Sequence, residues 1–486
     1  MTSFGSVPTE IVGLICTSLD GEDLFSLRLA CKDLSAKSLD YFAERYFTSL
    51  QILITSDNVT LLENIASHNV FRMRIRELWI TPALFENNYD MDLVRFELQR
   101  PSYNPQPRMA RASSTGRARG IMVQRQAEDS SGYVAKARHA AYRAAVVDHL
   151  AIATSDILRN ALERSIARFP NLKTVGLRHH GADVQDLMQK KRSLKCQGWK
   201  QLYKATGCDV AVPWHMRIGP GSNVNVRALT FAALLKALGS CGSSIEIETL
   251  NTCGGSCSGL VVGDLGLTKE QCKSVLPLVR GLKSLHFCIR SHHDRRDDES
   301  YRFLLGLVVT AAPNLEELNF SQSPSHDYIV TSQQFQWLST QVDFTRLIRL
   351  HFWGIRTPVD SLTTFLRSAS RTLKWMQFHS IHLMRDHAAP DDSEEAQDEG
   401  ERLWRQVWAF FHDEMSLEYL RFSSLMCNGL PLRVFDPLHG RKGLNELTNA
   451  SDSAIFDAKR AHVSFREWIQ QVDFERFDND DPYFSD

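Results

Sequence analysis

The chain has 486 residues and a formal net charge of −1, which gives it no global attraction to nucleic acid or to an anionic membrane. Its longest apolar run, near Leu304–Ala312, is too short to span a bilayer, and the opening MTSFGSVPTE has no basic patch followed by an apolar stretch. Ten cysteines lie scattered without a framework, so reduced thiols in cytoplasm or nucleus are expected.

Residues 4–46 carry three apolar stripes at helical spacing. Pro8 suits a first helical turn, where its missing N–H costs nothing. Ile11, Leu14, Ile15 and Leu19 follow, and Gly21 is read as the stop of that helix. Leu24, Leu27 and Cys31 form the second stripe; Leu34, Leu39 and Phe42 form the third. So small a unit buries little surface and gains stability from a partner or from the rest of the chain.

The segment Val7-Pro8-Thr9-Glu10-Ile11, with Ile15, Leu19, Asp23-Leu24 and Leu27-Arg28-Leu29-Ala30-Cys31-Lys32, resembles an F-box. Val7 stands where that family has Leu, and Ala30 where it has Val. The resemblance implies three helices that dock a Skp-type adaptor of a cullin–RING ubiquitin ligase. On this chain Pro8, Ile11, Ile15, Leu24, Leu27 and Cys31 would carry that contact. The alternative is a helical cap on a repeat array.

From Arg100 to Arg125 there are six arginines, no acidic residue and several Pro and Gly, which reads as a basic linker loop. Beyond it one spacing recurs: Leu282-x-x-Leu285-x-Phe287, Leu315-x-x-Leu318-x-Phe320, Leu347-x-x-Leu350-x-Phe352, Leu373-x-x-Met376-x-Phe378 and Leu417-x-x-Leu420-x-Phe422. Weaker copies begin at Ile75, Leu172 and Ile247. Each copy predicts one strand whose alternate residues face a core that only stacking can close. Tyr301–Ala312, stopped by Pro313, and Asp360–Arg371, opened after Pro358, read as helices between strands.

Strand then helix at this period resembles irregular leucine-rich repeats, although the usual asparagine ladder is mostly missing. The fold class expected is α/β: a three-helix F-box, then a solenoid of the α/β horseshoe type. The expected divisions are 1–50 for the F-box, 51–98 for a first repeat region, 99–130 for the basic loop, 131–430 for the repeats and 431–486 for a cap with an acidic tail. The eight acidic residues of Asp386–Glu401 read as a solvated loop, and Phe465, Trp468, Ile469 and Phe474 as the cap.

No catalytic pattern emerges. Cys253 and Cys257 flank a Gly/Ser loop, and zinc would need two further ligands. Nothing ties His179, His180, His292 or His293 to that pair, so neither metal nor cofactor is expected. The expected function is that of a non-catalytic substrate receptor, with adaptor, cullin and a protein substrate as partners and neither membrane nor nucleic acid among them. A non-ligase binding scaffold is the first alternative; a metal-dependent enzyme built on the Cys/His cluster is the second.

In L-x-x-L-x-F the residues between the apolar positions face outward. Aligned, these positions gather Arg349, His351, Trp353, Trp375, Tyr419 and Arg421 into a candidate substrate patch, since exposed Trp, Tyr and Arg make hot spots. The competing expectation is that the C-terminal segment with Phe465 and Trp468 folds back over it.

Overall fold

The computed structural model describes residues 7–82, 132–178, 196–207, 226–242, 245–252, 260–261, 265–290, 298–323, 328–384, 394–427, 430–435, 453–461 and 463–476. The protein is mixed α/β with a large, open, mostly parallel sheet. It divides into two compact units, one of residues 1–171 and 177–237, the other of residues 172–176 and 238–486. The basic stretch Arg100–Arg125 lies outside the described residues.

The first unit opens with four helices: α1 (Thr9–Ser18), α2 (Gly21–Ala30), α3 (Lys32–Lys37) and α4 (Leu39–Phe47). Val12, Cys16, Leu24 and Leu34 form their core, with Leu19, Leu27, Tyr41, Phe42 and Tyr46 packed around it. Three helices were expected, and the third stripe divides because Ser38 turns inward. Ser38 is fully buried, donates its hydroxyl to the Leu34 carbonyl and receives Arg28 Nη1 at 3.2 Å. Gly21 does not stop α1. Asp20 accepts the Asp23 N–H at 2.8 Å, which caps α2 and makes Gly21 its first residue.

The chain continues through β1 (Ser49–Leu53), α5 (Ser56–Ser67), α6 (Asn69–Arg72), β2 (Glu77–Thr81), α7 (Gly132–Ala153), α8 (Asp156–Ile166), α9 (Trp199–Thr206) and into α10 (Val226–Cys241). β1 and β2 pair in parallel, with Leu50 opposite Leu78 and Ile52 opposite Ile80. All four of these side chains are buried, so β1 is a strand of the same type that the recurrent spacing did not single out.

In the second unit β3 (Thr174–Leu177), β4 (Thr249–Asn251), β6 (Ser284–Arg290), β7 (Glu317–Ser323), β8 (Arg349–Trp353), β10 (Trp375–His379) and β12 (Tyr419–Ser423) lie side by side and parallel, and β15 (Ser453–Asp457) closes the edge antiparallel. The short β5 (Leu260–Val261) pairs with the end of β6. Helices α11 (Lys269–Val279), α12 (Asp298–Ala311), α13 (Tyr328–Gln341), α14 (Val359–Ala369) and α15 (Glu394–Glu414) connect successive strands.

The inward positions Leu285, Phe287, Leu318, Phe320, Leu350, Phe352, Met376, Phe378, Leu420 and Phe422 are each at most 1% exposed. Phe352 meets Phe320 edge-on at 6.3 Å and stacks on Phe378 at 5.8 Å, ring centre to ring centre, so these phenylalanines form a column along the sheet. Phe365 of α14 and Phe411 of α15 cover them, at 5.1 Å from Phe352 and 6.1 Å from Phe378. Each such ring contributes roughly 1.5–3 kcal/mol by leaving water.

After three of the strands the chain turns a corner through a left-handed residue: Gly354 (φ 69), Ser380 (φ 52) and Ser424 (φ 55). A buried Ile355, Ile381 or Leu425 follows each corner. The corners start a second sheet of β9 (Arg356–Thr357), β11 (His382–Leu383) and β13 (Leu425–Cys427), extended by β14 (Leu430–Phe435) and β16 (Asp473–Arg476). The stretch Asp386–Glu401 is not a loop throughout, since α15 begins at Glu394. A helix N-terminus tolerates carboxylates because its free N–H groups make it electropositive.

α16 (Phe465–Gln471) is fastened by a capping box between Ser464 and Glu467. Its Trp468 packs on Phe422 at 5.9 Å and on Phe456 at 5.4 Å, both buried positions. Phe465 and Trp468 therefore add to the core beside the last strands and do not lie over the outward columns. No helix among the described residues is long and apolar enough to cross a membrane.

Candidate interaction surfaces

Two surfaces gather the residues singled out in the sequence. On the helical bundle, one turn of α1 divides its apolar residues between two sides. Val12 and Cys16 point into the core, while Ile11 is 45% and Leu14 64% exposed. On α2, Leu24 is buried, but Phe25 is 44% and Leu29 85% exposed. Pro8 and Cys31 are also exposed; Ile15 and Leu27 are half-buried.

Of the six bundle residues, Leu24 thus serves the bundle's own core and presents no surface to a partner. Leu14, Phe25 and Leu29 do, and spacing alone did not separate them from the core stripe. Arg28 stacks over the Phe42 ring at 4.2 Å and donates to the Ser35 carbonyl at 2.8 Å, tying α2 to α3 and α4.

The second surface is the outward face of β6, β7, β8, β10 and β12. The parallel register places Ser284, Glu317, Arg349, Trp375 and Tyr419 in one row, and His286, Asn319, His351, Gln377 and Arg421 in the next. Cys288, Ser321, Trp353, His379 and Ser423 make the third. All six candidate substrate residues therefore fall on three adjacent strands. Arg349 is exposed, and His351, Trp353, Trp375, Tyr419 and Arg421 are half-buried.

Trp375 and Tyr419 stack in parallel with centres 5.0 Å apart, and Trp353 meets His379 edge-on at 4.8 Å. His379 Nδ1 lies 2.6 Å from Ser423 Oγ. Burial pushes the His351 imidazole down to about 4, helped by the neighbouring His379, His286 and Arg421. Burial, then the Arg421 charge, also lowers His379. Both rings are accordingly neutral at pH 7. The bond to His286 holds the Glu317 carboxyl below its ordinary range.

His286 Nε2 is shared by Ser284 Oγ at 3.0 Å and Glu317 Oε1 at 3.5 Å. Both contacts fall on the same ring nitrogen, so this trio lacks the base-and-orienter arrangement of a hydrolytic triad. Among the described residues no group of three or more His, Cys, Asp and Glu side chains is placed to hold a metal ion. Cys253, Cys257, His179, His180, His292 and His293 lie outside the described residues. Compared with known proteins, the chain matches no protein-family model and no protein of curated function.

Proposed function

We propose that the chain is the substrate-recognition subunit of a cullin–RING ubiquitin ligase, its N-terminal helices docking a Skp-type adaptor and its repeats, a leucine-rich solenoid, holding a protein substrate. The observation that carries this reading is the apolar surface of α1 and α2. Leu14 and Leu29 stand 64% and 85% exposed in a segment that resembles an F-box, beside a core that is already filled. Large apolar side chains left in water on two consecutive helices are available to a partner, and burying them gains roughly 25 cal/mol per Å². The outward sheet face supports the second half, because half-buried Trp, Tyr and Arg together have the composition of an interface centre. The chain itself would supply proximity rather than chemistry.

The test is capture of adaptor and cullin by the full-length chain. Leu14→Asp with Leu29→Asp should abolish capture while leaving the thermal transition in place, since both positions are already in water. Leu24→Asp should instead unfold the bundle. A folded double variant that still captures the adaptor would overturn the F-box reading.

A further inference from the structure

We propose that the outward face of β8, β10 and β12 contains an anion subsite centred on Arg421, and that its occupant is an Asp/Glu-rich segment of a protein partner. The inference rests on the substrate-receptor reading and names the chemistry that receptor would select.

Arg421 occupies the middle row, with Gln377 its neighbour on β10. Its side chain is half-buried, and its Nε is buried without a hydrogen-bond acceptor among the described residues. A guanidinium N–H removed from water calls for an acceptor, and a carboxylate is the best match to its planar fork. The carboxylates nearby are already engaged. Glu317 is bonded to His286, and Asp457, opposite Tyr419 on β15, receives Arg460 Nε at 3.5 Å and the Lys459 N–H at 3.0 Å.

The aromatic flanks sharpen the subsite. The stacked Trp375–Tyr419 pair and Trp353 border it with apolar surface, which thins the water around an incoming carboxylate and strengthens the pairing. Among the described side chains of the three outward rows there are two arginines against one glutamate, with His351 and His379 neutral between them. A nucleic-acid backbone presents a charge at every nucleotide and needs a row of cations to match; the described side chains of the three outward rows supply Arg349 and Arg421. Among the described side chains the cations are too few for that, and an acidic protein segment, with spaced carboxylates and side chains able to lie on the tryptophans, fits the face better.

The histidines supply a signature. His351 faces Arg349 on its own strand, Glu317 and Asn319 on β7, His286 on β6, Gln377 and His379 on β10, and Arg421 on β12. An arriving carboxylate offsets the positive field that helps keep His351 and His379 neutral, so binding takes up protons. Affinity should therefore rise as pH falls from about 6.5 to about 5, between the ordinary histidine value and the value of about 4 held by His351.

The experiment uses full-length protein and a fluorescein-labelled decapeptide of alternating Glu and Gly, read by fluorescence anisotropy at low salt. The same measurement is made with a Gln/Gly peptide, a phosphoserine/Gly peptide and an oligothymidylate of equal length. The Glu peptide should bind more tightly than the other three, and more tightly at the lower pH. Arg421→Gln should weaken it about tenfold or more, as expected for loss of a charge-assisted pair. Gln377→Glu, nearly isosteric and beside Arg421, should block the subsite from within and have the same effect should Arg421→Gln not fold.

Equal binding of the Gln peptide, indifference to both substitutions, or preference for phosphoserine or oligothymidylate would each overturn the inference. Adaptor capture is measured on the same variants. Lost peptide binding with retained capture supports the subsite. A wild type that captures adaptor but ignores the Glu peptide sinks this inference alone. Peptide binding without adaptor capture sinks the ligase reading alone.

Discussion

Gly354 is the residue on which the corner after β8 depends. Its φ of 69° lies in the left-handed region, and a Cβ added there would come within 2.1 Å of the Gln322 carbonyl oxygen. Gly354→Ala should therefore cost about 2 kcal/mol or more, read as a shift in denaturation midpoint without loss of cooperativity. Ser380 and Ser424 occupy the same corner after β10 and β12 with φ of 52° and 55°, so Ser380→Gly should be neutral or stabilising by up to about 1 kcal/mol. His351 makes a second prediction at this scale. Its native value of about 4 lies below the ordinary 6.5, so between those pH values the unfolded chain binds the additional proton. Stability is then full above about pH 6.5 and declines as pH falls toward 4, by at most about 1.4 kcal/mol per pH unit for this ring. His382, held near 4 by burial and by Arg356, acts in the same direction. Replacing His351 by Gln should flatten the acid limb of a urea-midpoint series measured from pH 7.5 to 4.5.

The elements differ in how plainly the sequence announces them. The five L-x-x-L-x-F runs are β6, β7, β8, β10 and β12, because alternation over five residues with a terminal Phe suits one buried face of a parallel sheet. β9 and β11 are two residues long, and no alternation can be read from two residues. They exist because a corner places them beside their equivalents in the neighbouring repeat. The acidic stretch reads as a loop because charge density suggests solvation, while Trp404, Val407, Trp408 and Phe411 further along supply the buried stripe that carries the helix. Caps decide the ends. Thr268 accepts the Gln271 N–H at 3.3 Å and its own N–H donates to Gln271 Oε1 at 3.0 Å, closing a capping box at α11. Thr268→Ala should cost about 1 kcal/mol, and Thr268→Ser almost nothing, in chemical denaturation.

At the scale of the molecule, the two faces of the parallel sheet answer differently to the same substitution. Trp468 is fully buried among Phe422, Phe456 and Phe465, so Trp468→Ala should cost roughly 3–5 kcal/mol and lower the melting temperature of the second unit. Trp375 is half-buried and stacked only on Tyr419 among the ring contacts described, so Trp375→Ala should cost about 1 kcal/mol or less. Calorimetry on the two variants checks the assignment of inner and outer faces directly. If Trp375→Ala melts like Trp468→Ala, the outward tryptophan belongs to the core and cannot serve a partner.

Spacing settled the strands β6, β7, β8, β10 and β12 and which of their side chains point outward, because a period of two leaves no freedom once one face must be buried. It also placed Arg349, His351, Trp353, Trp375, Tyr419 and Arg421 on one face, since equivalent positions of parallel, in-register strands become neighbours. It did not decide which apolar residues of the N-terminal helices lie inside. Ile11 and Val12, or Leu24 and Phe25, are adjacent and both apolar, and only the packing of four helices against each other turns Val12 and Leu24 inward. Nor could it foresee the desolvation of His351 or of Arg421 Nε, which depends on neighbours contributed by strands more than twenty residues away in the chain. Periodicity is a local property and is written in the sequence; burial of a charge is a property of the assembled neighbourhood, and it comes into being only when the strands meet.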